Sequence, residues 1–226
     1  MEPSDVLVAS YTVQTETPSV PPNYTEVLLS ETQPPLAGDW DDWENPYSDV
    51  ADDDWFYEAV QFVTKNGLMI GTAADRFSPG INMTRVMIVT VLYRLEGKPA
   101  TTGNIPFSDV KGGQWCSDAI LWASQNDIVN GYGNGKFGPD DPITREQAVV
   151  ILCRYAKFKG LDVSASVDLS GFVDASTISD WALDAMKWAV AVSIIEGRPS
   201  NKTAPKATST RAEVLLLSIV VIILSI

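Results

Sequence analysis

The stretch Gly135–Ala156, GKFGPDDPITREQAVVILCRYA, leaves a glycine-rich loop through prolines and enters a helical run at Thr144. Thr144-Arg-Glu-Gln147 fits a capping box, in which the threonine hydroxyl accepts from the N3 amide and the Gln147 side chain returns to the cap amide. Pro139 keeps the loop from running into the helix, because the residue before a proline is pushed out of the helical region. One residue is out of place. Arg145 puts a cation in the first turn, where the helix dipole favours an anion.

The same punctuation occurs three times, and a repeat of this kind decides the architecture. Segments YSDV (47–50), FSDV (107–110) and FVDA (172–175) are each followed by a tryptophan, Trp55, Trp115 and Trp181. Seven residues on stands Phe62, Trp122 or Trp188, and sixteen on stands Gly71, Gly131 or Gly197. Pro79, Pro139 and Pro205 come eight residues after the glycine. Arg85, Arg145 and Arg211 come six after the proline, each preceded by threonine.

Each unit reads as two helices joined by a loop. Trp115, Ala119, Trp122 and Ala123 follow the i, i+4, i+7, i+8 pattern of one buried stripe. Trp55, Ala59, Phe62, Val63 and Trp181, Ala185, Trp188, Ala189 repeat it, so these aromatics are expected in the core. The second helices begin at the threonines. Thr210-Arg-Ala-Glu213 completes the capping box, whereas Thr84-Arg-Val-Met87 lacks the returning side chain. A helix pair of this size cannot bury its apolar stripe alone. The expectation is an all-α fold, three helix-loop-helix motifs packed with pseudo-threefold symmetry around a central bundle of the second helices. The boundaries read as a Pro/Thr/acid-rich disordered linker over 1–45 and motifs over 46–99, 105–160 and 170–226.

Composition narrows the function. The 226 residues carry 29 acidic and 16 basic side chains, a net charge of -13, which argues against a nucleic-acid partner. There is no histidine, so the commonest general base and metal ligand are both missing. Cys116 and Cys153 form no zinc or disulfide pattern and read as two buried free thiols. The acidic runs DVADDD and GPDDP lack the alternating ligands of a calcium loop, so neither a metal nor a cofactor is expected. The first twenty residues show no basic or apolar stretch of a secretory signal, which suits either a cytoplasmic protein or a piece of a longer exported one. The tail Val214–Ile226 is thirteen residues, short of the roughly 20 that span a bilayer. It reads as the buried second helix of the third motif, and no membrane span is expected.

At these residues the chain resembles three S-layer homology (SLH) motifs in tandem. The resemblance covers 46–226 and is fullest in FSDV and WCSDAILWASQNDIVNGYGNGKFGPDDPITREQ of the second motif. It implies a three-pronged spindle with ligand grooves between adjacent motifs. It also implies a non-catalytic anchoring module at the bacterial cell wall or surface layer, binding secondary cell-wall polysaccharide that often carries pyruvate ketals. Two alternatives belong to other classes: a structural protein that self-associates in the surface layer, and the anchor fragment of a surface polysaccharide-degrading enzyme or adhesin.

A carboxylate on a sugar polymer calls for a directional cation and hydrogen-bond donors. Helix N-terminal amides supply donors, and a guanidinium offers a bidentate fork that an ammonium lacks. Arg85, Arg145 and Arg211 are therefore the expected ligand residues. Gly71, Gly131 and Gly197 would let the loop approach a ligand, and Asp49, Asp109 and Asp174 would accept from sugar hydroxyls or orient an arginine. The competing reading has each arginine pair with one of these aspartates, and each aspartate cap the first helix. The third loop, EGRPSNKTAPKATS, lacks the aromatic residue before its proline, which makes the groove built on it the weakest candidate and the second motif the best.

Overall fold

A computed structural model describes residues 43–224. Its α-helices are α1 Tyr57–Lys65, α2 Arg85–Leu95, α3 Ser117–Gln125, α4 Arg145–Phe158, α5 Leu183–Ala191 and α6 Arg211–Leu224. Two 3-10 turns, Ala175–Thr177 and Asp180–Ala182, lead into α5. Among the described residues there is no β-strand, only isolated bridges. The expected linker lies, up to residue 42, outside the described residues.

The second helices α2, α4 and α6 form the centre, with α4 in contact with both others. Their sequences demand it. Val214, Leu215, Leu216, Leu217, Ile219 and Val221 of α6 are all buried, and no described helix is long and apolar enough to cross a membrane. The first helices pack around this centre in a circular order: α3 on α2, α5 on α4, and α1 on α6. Each first helix thus lies against the second helix of the preceding motif, and the third motif closes back on the first. Phe62, Trp122 and Trp188 are the aromatics buried at these contacts.

The loops close the same ring. The Ile143 amide donates to the Met83 carbonyl at 2.8 Å, Met83 to Ser209 at 2.9 Å, and Ser209 to Ile143 at 3.0 Å. All three residues stand two positions before an arginine and are fully buried. Backbone groups that leave water must be paired, and here each motif can pair its own only through another.

Two expectations need correction. Trp115 and Trp181 are 70% and 57% exposed, and Trp55 is half-buried, so the stripe does not begin at the tryptophan. The cause is the helix start: α3 begins two residues after Trp115, and Trp181 sits in a 3-10 turn before α5. Helical periodicity cannot be counted from a residue outside the helix. Cys153 is half-buried rather than buried, while Cys116 is buried as expected; both are free thiols, and burial raises both pKa values.

The caps follow the sequence. Thr144 and Gln147 form the full box, as do Thr210 and Glu213. Thr84 makes no side-chain cap bond, and its hydroxyl is buried without a partner. Thr144→Ala should therefore cost about 1 kcal/mol in urea unfolding. Thr84→Val, which keeps the shape and removes an unsatisfied hydroxyl, should be neutral or stabilising.

Candidate functional site

Each loop is fixed from below by the aspartate of its own motif. The Asp49 carboxylate accepts the Phe77 and Ser78 amides at 2.8 and 2.9 Å, and Asp109 those of Phe137 and Gly138, both at 2.8 Å. Asp174 accepts Thr203 and Ala204, again at 2.8 Å, and the Thr203 hydroxyl as well. Burial pushes these carboxyls up, but the amide bonds outweigh it and hold all three below the usual aspartate range. The helix-capping alternative for these residues is overturned: α1, α3 and α5 have no side-chain cap, because the carboxylates are turned to the loops.

A loop held in this way presents its carbonyls to the second helix of the preceding motif, with the first motif's loop serving the third. The Arg85 and Val86 amides, which open α2, donate to Asp141 and Pro139 of the second loop, both at 3.0 Å. Arg145 and Glu146 of α4 donate to Ala207 and Pro205 at 2.9 and 3.1 Å. Arg211 and Ala212 of α6 return to Ile81 and Pro79 at the same two distances. Two orphan donors of each helix are consumed by the following motif. A third is taken by the threonine cap in α4 and α6. The helix-entry amides are consequently bonded to loop carbonyls and caps, which corrects the expectation that they stand as open donors.

The arginines travel the same way. Arg85 donates from Nε to the Phe137 carbonyl at 2.9 Å and from Nη2 to Asn130 at 3.3 Å. The Tyr132 and Phe137 rings lie 4.6 and 4.8 Å from its guanidinium carbon. Arg145 donates from Nε to the Thr203 carbonyl at 3.1 Å. Arg211 donates from Nη2 to the Ile70 carbonyl at 2.8 Å and stacks on Phe77 at 4.5 Å. All three are buried, with 5%, 7% and 4% exposed. Burial lowers the pKa of Arg85 and Arg211 against the opposing pull of Tyr132, Asp141 and Asp109 around the first and of Tyr47 and Asp49 around the second. Neither forms an ion pair with a described residue.

This placement explains the cation in the first turn. The unfavourable dipole costs about 0.3–1 kcal/mol, whereas a hydrogen bond from a charged donor is worth about 1.5–3 kcal/mol. Arg85 makes two such bonds across a motif boundary. The loop carbonyls and ring faces therefore decide where the side chain lies.

The glycines serve close packing. A Cβ on Gly131 would meet the Lys136 carbonyl at 2.3 Å and the Phe107 ring at 2.8 Å, and one on Gly71 would meet the Arg76 carbonyl at 2.4 Å and the Tyr47 ring at 2.7 Å. At Gly197 the nearest atom is in the Phe172 ring at 3.0 Å, a looser fit. The structure thus brings arginine, glycine and aspartate together at each boundary, with the arginine contributed by the preceding motif.

Sequence reasoning missed several residues. The Tyr132 hydroxyl donates to Asp141 at 2.8 Å across the mouth of the second loop, and Gly138, at φ 70°, leaves the room that this contact needs. In the third loop Lys206 pairs with the buried Glu146 at 2.6 Å, and Ser179 donates to the same carboxylate at 3.0 Å from its amide. No spacing in the chain announces these pairs, because each joins residues of unrelated pattern.

The family model for the S-layer homology domain matches residues 46–85, 106–149 and 171–215, more than half of the chain. The protein belongs to the S-layer homology family. SLH domains are non-catalytic modules that anchor proteins to the cell wall, and they bind cell-wall polymers. Among its relatives are an endoglucanase of Bacillus sp. (strain KSM-635), 32% identical over 74% of this chain and 18% of its own, and the surface-layer 125 kDa protein of Lysinibacillus sphaericus, 34% identical over 69% and 13%. The S-layer protein sap of Bacillus anthracis is 27% identical over 74% and 20%. The matched stretch spans about a fifth or less of each of these relatives.

The clamping aspartates give a pH prediction. A carboxyl whose folded pKa is depressed contributes stability that is present above its unfolded value and is lost as pH falls through the folded one. Melting temperature should hold from neutrality down to about pH 4, the ordinary aspartate range, and fall below it. Asp109→Asn should melt lower at pH 7 and show a shallower acid fall, measured by circular dichroism.

Proposed function

We propose that this chain is a non-catalytic wall-anchoring module that binds an anionic secondary cell-wall polysaccharide, with pyruvate ketals as the recognised carboxylates. The single observation behind this reading is the threefold boundary at which an arginine reaches into the next motif's loop, donates to a carbonyl there and, at two of the three, lies against an aromatic ring. Such a boundary holds a guanidinium in a fixed orientation in an otherwise acidic protein, a directional cation suited to carboxylate. Arg85, Arg145 and Arg211 supply the cation. Gly71, Gly131 and Gly197 allow close approach, and the free lone pairs of Asp49, Asp109 and Asp174 accept from sugar hydroxyls.

The setting that follows is the outside of a bacterial cell, with the module holding a larger protein to the wall. Relatives named as an endoglucanase and as surface-layer proteins support a parent that is either a surface enzyme or a structural layer protein. Self-association within such a layer is the alternative role.

Sedimentation with purified sacculi tests the reading. The protein should pellet with native sacculi and lose about tenfold in affinity, 1.4 kcal/mol, once pyruvate is chemically removed. Undiminished binding after removal sinks the carboxylate mechanism, and no binding to native sacculi sinks wall anchoring.

A further inference from the structure

The three arginine pockets share a frame and differ in what fills them. In the second loop both Nε and Nη2 of Arg85 are spent on carbonyls, two rings flank the guanidinium, and Tyr132 is tied to Asp141 across the mouth. In the third loop the aromatic position is Thr203, whose carbonyl takes Arg145 Nε. Beside it Lys206 is paired with the buried Glu146, so the lysine adds no free cation to this pocket. Arg198, at the position of Tyr132, is engaged with Glu213 of its own motif.

The first loop lacks these devices. Arg211 has one ring contact, with Phe77, and one hydrogen bond from Nη2. Its Nε is buried and has no hydrogen-bond partner. The corresponding nitrogen is satisfied in both other pockets. A buried guanidinium N–H without an acceptor is rare, because leaving water unpaired is costly. Thr72 stands where Tyr132 stands in the second motif, and its hydroxyl meets Ser78 at 2.6 Å instead of bridging to the helix entry. The residue matching Asp141 is Ile81, exposed and unable to accept such a bond.

We propose that the pocket between the third and first motifs, with Arg211 at its base and Ile70, Thr72 and Phe77 around it, is the principal carboxylate subsite, and that the Tyr132–Asp141 contact holds the Arg85 pocket shut. This rests on the anchoring function proposed above and adds which boundary performs it. An incoming carboxylate meets no tyrosine bridge across the first loop and accepts from the unspent Nε and the neighbouring η nitrogen as a fork. In the second pocket the same ligand must first break the Tyr132–Asp141 bond and part a ring from the cation.

Calorimetric titration of the whole chain with a methyl glycoside carrying a pyruvate ketal tests the ranking. Arg211→Lys should weaken binding about tenfold, because charge is kept and the fork is lost, and by more than Arg85→Lys or Arg145→Lys. Thr72→Tyr with Ser78→Gly and Ile81→Asp changes no buried residue and installs the latch over Arg211, the glycine leaving at positive φ the room that Gly138 leaves in the second loop. It should also weaken binding about tenfold while melting as the parent does, so the test survives if a buried arginine variant fails to fold. Tyr132→Phe should raise the number of probe molecules bound. Equal losses in the three lysine variants, or undiminished binding by the latched variant, overturn the ranking and leave wall anchoring intact. Failure of the unaltered chain to bind the probe overturns the ranking too, and sedimentation with native and pyruvate-free sacculi then shows whether the anchoring reading falls with it.

Discussion

Everything in this protein hangs on a buried ring of three backbone hydrogen bonds, Met83 to Ser209, Ser209 to Ile143 and Ile143 to Met83. Each motif contributes one donor and one acceptor, and none can satisfy its own. Around that ring the helix-entry amides, the arginines and the first helices all reach across boundaries in a fixed sense. The three motifs are therefore one cooperative unit in the physical meaning of the word. Removing any one would leave buried amides of a neighbour unpaired, at about 1–3 kcal/mol for each group.

Burying three cations in such a frame is expensive, and the frame offsets it by local means. Loop carbonyls receive each guanidinium, and around Arg85 and Arg211 aromatic rings cover it and the clamping aspartate of the receiving motif adds a favourable field. The backbone arrangement is the same at every boundary. Divergence is concentrated in side chains that the frame does not require, such as Thr72, Tyr132, Arg198, Thr203 and Lys206. A repeat protein can in this way keep one fold while giving its copies different surfaces.

Much of the fold was legible because it depends on short-range rules. Threonine before arginine marked all three second helices, and the presence or absence of Gln147, Glu213 and Met87 foretold which caps would close. The inward face was misjudged where Trp115 and Trp181 were counted as helical, since a residue just ahead of a helix carries the composition of the stripe without its direction. At the site, the residue types were readable and their connections were not. Arg145 reads in sequence as a neighbour of Glu146, while in space its Nε belongs to Thr203, 58 residues on. The use of the helix-entry amides by neighbouring carbonyls is likewise invisible to any local pattern, because it arises only when the ring is closed.

The Arg211 to Ile70 bond joins residues 141 positions apart. During synthesis the first motif must therefore leave the ribosome with its loop unmet and the groove for α6 empty, and it stays so until the third motif emerges. Chain-closure entropy grows only slowly with such a separation, so the finished protein bears little penalty. The nascent one carries an exposed apolar seam throughout, and completion of the ring is the event that ends its exposure to aggregation and proteolysis.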